Sequence, residues 1–276
     1  MDALNEVYAF YEAFQGEKFI IGNSVMGRKM PCIKCGSGRP VIIVQYAIHA
    51  REWITSLLAL AQISDCPERG TFYFIPVSNP DGVALSLRGL SAVADDQRRA
   101  DFLRELNRGE DFSLWKANAN GVDLNVNFKA DWGRGQKNVF SPAPENYIGP
   151  FPESEPETRA LVDFTANVAP DATVSYHTKG EEIYWFFNQP EKDCERDFSI
   201  ALSLACSTGY AAKYTVGSVG GYKDWCIQSL HIPAFTIETG ADDLPHPIGY
   251  SNLAKIAAQN RYVLDTLSKE LLWMKR

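Results

Sequence analysis

Apolar residues along this chain follow two spacings. Short runs rich in Val, Ile and Phe, at 41–46 (VIIVQY), 71–77 (TFYFIPV), 172–176 and 233–238, read as strands buried on both faces of a mostly parallel sheet. Stretches at 3–14, 53–63 (WITSLLALAQI), 95–106, 155–167, 195–207 and 250–273 read as helices. Residues 18–25 and 28–35 predict a hairpin joined around Met26-Gly27, and 182–187 a further strand. Helices alternating with short apolar strands predict an α/β fold, a single three-layer α/β/α domain over 1–276 with a mixed, mostly parallel central sheet. Residues 110–150 stand apart as a long irregular stretch rich in Asn, Gly and Pro. Loops of that length in compact domains are functional or disordered, and Trp115, Phe128, Trp132 and Phe140 predict an ordered one.

Composition narrows the function classes. The 276 residues are 45% hydrophobic and 22% charged, which excludes a disordered chain. A formal charge of −7 argues against nucleic acid as a partner. No apolar run approaches the roughly 20 residues that a bilayer span needs, so no membrane partner is expected. The opening MDALNEVYAFYEAF carries acids where an export signal would carry Lys or Arg. A cytoplasmic protein is therefore expected, with secretion as the alternative if a signal has been removed. The six cysteines suit a reducing compartment. Cys32 and Cys35 form a lone C-x-x-C in a strand, where alternation sends the two thiols to opposite faces.

The candidate chemistry gathers at strand ends. The run 41–46 leads into His49-Ala50-Arg51-Glu52, which puts an imidazole and a carboxylate at the carboxyl edge of a central strand, where open α/β sheets bind their ligands. Both are ligand types of a catalytic zinc, which takes three protein ligands and leaves a position open. The chain has four histidines. His177 ends the strand ATVSYH and can face His49 across the top of the sheet, whereas His231 and His246 sit in connections and read as surface or capping residues. Glu238 ends the apolar run PAFTIE. A carboxylate so placed needs a partner, either a structural salt bridge or a role as general base beside an activated water.

Taken together, His49, Glu52, His177 and Glu238 resemble the zinc carboxypeptidase family, with 124 residues between Glu52 and His177. The resemblance extends through Asn79-Pro80-Asp81-Gly82, Gly121-Val122-Asp123-Leu124-Asn125 and Gly220-Gly221-Tyr222-Lys223-Asp224-Trp225, and so covers nearly the whole chain. It implies one Zn2+ held by His49, Glu52 and His177, with Glu238 as the base. It also implies a cation for the oxyanion at the residue after Trp115, which here is Lys116 in place of the family's Arg. Lysine cannot make arginine's bidentate contact, but polarising one oxygen needs only one donor.

Two departures bear on the substrate. The conventional carboxypeptidases follow the Gly-Val-Asp motif with Asn-Arg, and that Arg grips a free C-terminus; here the pair is Asn125-Val126. The Tyr expected four residues before the Gly-Gly pair is replaced by Val216. Other stretches, Trp115-Lys116-Ala117-Asn118, Asn146-Tyr147-Ile148-Gly149-Pro150, Ser154-Glu155-Pro156-Glu157 and Gly221-Tyr222-Lys223-Asp224-Trp225, resemble the bacterial γ-D-glutamyl-diamino-acid peptidases. That likeness implies a small muropeptide as substrate, cut at the amide joining D-glutamate's γ-carboxyl to meso-diaminopimelate, and cell-wall recycling as the setting. Conventional removal of C-terminal residues is the alternative. Lys223 falls at the base of the family's specificity pocket, where a cation suits a side chain ending in carboxylate. Asn125, Arg51 and Tyr222 complete the expected substrate contacts. Arg88, Arg134 and Lys129 read as solvated charges.

Overall fold

The four long apolar runs lie side by side in the computed structural model, which describes residues 2–274. The strands are β1 (Lys18–Asn23), β2 (Lys29–Ser37), β3 (Val41–Tyr46), β4 (Gly70–Ile75), β5 (Ala172–His177), β6 (Glu182–Tyr184), β7 (Ala211–Lys213) and β8 (Ala234–Glu238). They form one sheet in the order β1-β2-β4-β3-β5-β8-β6-β7. The inner four, β4-β3-β5-β8, are parallel, and antiparallel pairs β2–β4 and β6–β8 flank them. This is the mixed, mostly parallel sheet that the run pattern predicts.

Alternation along β3 explains why it lies at the centre. Ile42, Val44 and Tyr46 face one core layer and Ile43 the other, and all are fully buried. Helices Ala3–Ala13, Ile54–Ser64, Glu191–Thr208 and the C-terminal helices cover the first face. The helix Pro156–Val168 and the turn of helix at Tyr222–Trp225 cover the second. Cys32 lies in the second layer and Cys35 packs against the first, so the two thiols point to opposite faces as strand alternation requires. Among the described residues no helix is long and apolar enough to cross a membrane.

Three elements differ from the periodicity. The strand from 182 stops at Tyr184, because Trp185 and Phe187 turn inward and the Phe186 carbonyl accepts the Lys223 ammonium at 2.9 Å. The single helix expected over 250–273 breaks into Leu253–Asn260 and Val263–Trp273. The Asn260 carbonyl there accepts from Gln62 Nε2 at 3.1 Å and is drawn away from the helical ladder. An additional helix, Pro80–Arg88, follows β4, with Asn79 as its cap and Pro at its first position.

The topology also fixes where a ligand can sit. From β3 the chain crosses to β4 on one side, and β5 then pairs with β3 on the other. The connections above the β3 and β5 ends therefore part in opposite directions and open a crevice. His49 follows β3, and His177 ends β5.

Candidate active site

Backbone geometry brings the candidate metal ligands together before any side chain is considered. A turn of 3-10 helix, Ala50–Glu52, folds Glu52 back toward His49. Its position is fixed by Ala50 N–H donating to the Lys116 carbonyl at 3.1 Å and by Asn79 Nδ2 donating to the carbonyls of Ile48 and Ala117, both at 3.1 Å. The Asn-Pro-Asp-Gly stretch is thus a clamp that joins the segments carrying His49 and Lys116. Gly82 is required in it, since a Cβ there would stand 2.4 Å from the Ala117 carbonyl oxygen.

His49, Glu52 and His177 converge. His49 Nδ1 lies 2.9 Å from Glu52 Oε1, His177 Nδ1 2.9 Å from Glu52 Oε2, and the two Nδ1 atoms 3.0 Å apart. All three residues are buried. Protons cannot satisfy all three contacts: if each imidazole nitrogen donates to its carboxylate oxygen, two N–H groups are left facing each other, and if one donates to the other nitrogen, a lone pair is left facing the carboxylate. A single cation satisfies all three. Zinc–ligand bonds of about 2.0–2.1 Å at a tetrahedral angle separate ligands by about 3.3 Å, close to the spacing found here. The residues fit a zinc ion.

Charges around the cluster are tuned in opposite senses. Burial would raise the Glu52 pKa, but His49 and His177 outweigh it and hold the carboxyl well below its ordinary value. Behind His49 stands Asp123, fully buried, with Oδ1 3.3 Å from His49 Nε2 and Oδ2 2.9 Å from the Lys116 ammonium. It also accepts the backbone N–H groups of Asn125 and Asn146, each at 3.1 Å. Burial works against ionisation of Asp123 too, yet Lys116 and His49 hold it well below the usual carboxylate range. For Lys116, burial is outweighed by Asp123, and its pKa lies above the ordinary value.

Glu238 is different. It has no cation in direct contact among the described residues, and burial pushes its carboxyl up to about 8, with Glu52 and Glu182 adding to the effect against His177 and Lys116. It lines a cleft of ≈ 640 Å³ together with His49, Arg51, Lys116, Asn125, Val126 and Lys223. Arg51 reaches the rim, 3.3 Å from Glu145 Oε2. The Asn125 carboxamide oxygen accepts the Tyr222 N–H at 3.2 Å. Lys223 is 9% exposed and belongs to the cleft wall: its ammonium donates to Asp224 Oδ1 at 2.6 Å and sits 5.4 Å from the centre of the Phe187 ring.

One expected substrate contact is corrected. Tyr222 is fully buried and faces away from the cleft, with its hydroxyl 2.7 Å from Thr165 Oγ1 and its ring packed on Phe128 and Trp225. It opens the short helix after Gly221, so Tyr222 points into the core while Lys223 turns to the cleft. Arg88, Arg134 and Lys129 lie outside the cleft lining; Arg88 is tied to Asp2 at 2.6 Å. His246 is less bland than its position between prolines suggests. It is half-buried, burial lowers its pKa, and the charges of Glu52, Arg51, Lys179 and His49 all act on it.

A family model described as zinc carboxypeptidase matches residues 12–262. The chain is 32% identical over 267 residues to gamma-D-glutamyl-L-diamino acid endopeptidase 1 of Lysinibacillus sphaericus, covering 90% of this chain and 66% of that protein. It spans about two thirds of the length of that relative and of a Bacillus subtilis relative. Among solved structures, bovine thrombin-activatable fibrinolysis inhibitor superposes with a TM-score of 0.78 at 22% identity, covering 99% of this chain and 98% of that one. Murein-tripeptide amidase MpaA from Escherichia coli O157 superposes with a TM-score of 0.57 at 21% identity over 95% of both chains. At those identities the structures speak for the fold alone.

Proposed function

The chain belongs to the zinc carboxypeptidase family, a family of metallopeptidases, and from that premise we propose that it hydrolyses the amide bond between the γ-carboxyl of D-glutamate and meso-diaminopimelate in peptides released from peptidoglycan. The observation that carries this reading is the Lys223–Asp224 ion pair in the cleft wall. Diaminopimelate ends its side chain in an ammonium and a carboxylate on one carbon, and an adjacent cation and anion complement both. Val126 sets the chain apart from the conventional members, which grip the terminal carboxylate through arginine at this position. The relative from Lysinibacillus sphaericus carries the corresponding activity in its name.

His49, Glu52 and His177 would hold the zinc, which when bound acidifies a water molecule and polarises a carbonyl. The remaining work falls to this chain's own side chains. Glu238 takes the proton of the attacking water and returns it to the leaving amine; its proton affinity, lifted by burial, suits both directions of transfer. Lys116 commits one of its three N–H groups to Asp123 and has others free for the developing oxyanion. Asp123 holds Lys116 and the outer nitrogen of His49 at once, and so fixes the imidazole's tautomer and ring orientation.

A paired hydrolysis assay on zinc-loaded protein tests the proposal, with Glu238→Gln as the blank. One substrate is L-Ala-γ-D-Glu-meso-diaminopimelate, and the other a set of α-linked peptides with free C-termini. Release of diaminopimelate from the first alone is the expected result. Cleavage confined to the α-linked set would instead establish a conventional carboxypeptidase and reject the isopeptide reading.

A further inference from the structure

The cleft lining includes four basic side chains besides the imidazole of His49, and three of them are already engaged. Arg51 faces Glu145 at 3.3 Å, Lys116 is 2.9 Å from Asp123, and Lys223 is 2.6 Å from Asp224. The fourth, Lys137, is exposed and has no ion pair or hydrogen-bond partner among the described residues. We propose that Lys137 is a specificity-determining residue of this enzyme, the reader of the carboxylate on the substrate's leaving-group side that no arginine at position 126 can bind. The proposal rests on the isopeptidase reading for the identity of the substrate, but not for the chemistry of the contact.

The loop that presents Lys137 is built rather than loose. Asn138 N–H donates to the Gly135 carbonyl at 3.3 Å and closes a four-residue turn with Lys137 at its third position. On one side of the turn, Gln136 N–H donates to the Gly217 carbonyl at 3.1 Å; on the other, Val139 N–H donates to the Asn146 carbonyl at 2.9 Å. Position 217 admits no side chain without displacing Gln136, since a Cβ there would lie 2.7 Å from the Gln136 carboxamide carbon. The turn is therefore pinned against the 214–219 segment.

That segment leads directly to Val126. Gly220, three residues beyond Gly217, packs on the Val126 backbone so closely that a Cβ would stand 2.9 Å from the Val126 carbonyl oxygen. Three residues of extended chain span at most about 10 Å. The anchor of the Lys137 turn thus lies within about 10 Å of the glycine that packs on Val126, and Lys137, Gly217 and Val126 line the same cleft. A flexible ammonium on a fixed turn makes a point-charge contact with a carboxylate, weaker in geometry than an arginine fork but tolerant of different groups attached beside the carboxylate carbon.

The test crosses one substitution with one change of substrate. Lys137→Met and Lys137→Arg are assayed beside wild type on L-Ala-γ-D-Glu-diaminopimelate and on the same peptide with the carboxyl next to the scissile nitrogen amidated. An α-linked pair, free acid and amide, runs alongside. On the free acid, Lys137→Met is expected to raise KM by about tenfold to a hundredfold with kcat changed less than threefold, Lys137→Arg to restore most of it, and the amide to erase the difference. Equal effects of Lys137→Met on acid and amide, or no effect on either, would overturn the assignment. Failure of the isopeptidase reading looks different: wild type would turn over only the α-linked pair, on which the same acid-against-amide comparison still decides for or against Lys137. Turnover of neither pair would reject both.

Discussion

His177 and Glu238 are register partners on adjacent parallel strands, β5 and β8, each the last residue of its strand. The proposed metal ligand and the proposed base thereby share one rigid sheet edge, and Thr239 N–H locks it by donating to the His177 carbonyl at 2.8 Å. Loops could not hold two groups to such a spacing so well. A role for Glu238 in proton transfer, separate from metal holding, gives a clean expectation. Glu238→Gln should lower kcat by about 10²–10⁴ while zinc content stays at one ion per chain. Parallel kinetics and metal analysis check this; loss of zinc along with activity would make Glu238 a ligand instead.

The three-residue cluster should bind zinc tightly enough to stabilise the fold. Free zinc at a hundredfold over its Kd adds about 2.7 kcal/mol, which for a chain of this size corresponds to a rise of roughly 5 °C or more in Tm. His177→Ala should abolish the zinc-dependent part of Tm while leaving the metal-free protein folded. Thermal scans of both proteins with and without zinc, after stripping by chelator, measure it. A zinc-dependent rise that survives in His177→Ala would place the metal elsewhere.

Much of this site can be read from the chain, and the unread parts share a cause. His49, Glu52, His177 and Glu238 announce themselves because each is a polar residue ending an apolar run, and sheet topology then gathers strand ends. Asp123 marks the Gly-Val-Asp motif in the sequence, but its bridging of His49 and Lys116 depends on contacts across 74 and 7 residues of separation that no periodicity encodes. Tyr222 and Lys223 are adjacent, and only the direction of the helix after Gly221 decides which meets the cleft. The helix Pro80–Arg88 was legible, since Asn followed by Pro is a start signal, but it lies within a motif that reads equally as a turn. The Lys137 turn is defined by hydrogen bonds to residues 146 and 217, one of them far along the chain, within a stretch whose composition says only loop.

The sharing of Asp123 makes it a point of double failure. Asp123→Asn leaves the Lys116 ammonium buried without its counter-charge, a loss on the order of 3 kcal/mol in stability. It also weakens the outer hydrogen bond of His49, which should reduce zinc affinity by about 10–100-fold. Urea unfolding of the metal-free protein isolates the first effect and zinc titration the second. Unchanged zinc affinity would mean that His49 does not depend on its buried neighbour for orientation.

Glu157 makes the fold's stability depend on pH away from the metal. Buried in the second layer beside Asp81 and Glu155, with only Asp81 neutralised by Arg28 at 2.6 Å, it accepts from Val25 N–H and Asn118 Nδ2. Burial, reinforced by Asp81 and Glu155, raises its carboxyl from 4.5 to about 8. Between those values the folded protein holds a proton that the unfolded chain has released, so this group's contribution falls as pH rises through the window and levels off above it. Glu157→Gln should match wild type near pH 5 and exceed it near pH 9 by on the order of a few kcal/mol. Urea midpoints at the two values decide it; an equal offset at both would show that Glu157 does not titrate there.

Substrate choice should be convertible at a single position. Val126 is partly exposed in the cleft and rests on Gly220 through its backbone, so a longer side chain at 126 can extend into open space without disturbing that contact. Val126→Arg places a guanidinium where conventional members carry one, and a bidentate grip on a free C-terminal carboxylate becomes available. Turnover of α-linked peptides with free C-termini should rise by about tenfold or more, expressed in KM, because the contact is made equally in ground and transition states. The same guanidinium competes with Lys137 for the carboxylate beside the scissile nitrogen, so in the Val126→Arg background the loss caused by Lys137→Met should shrink. If Val126→Arg gains nothing on α-linked peptides, the cleft must exclude their side chains by shape, and the selectivity would then lie with Lys223 and Asp224 rather than with the missing arginine.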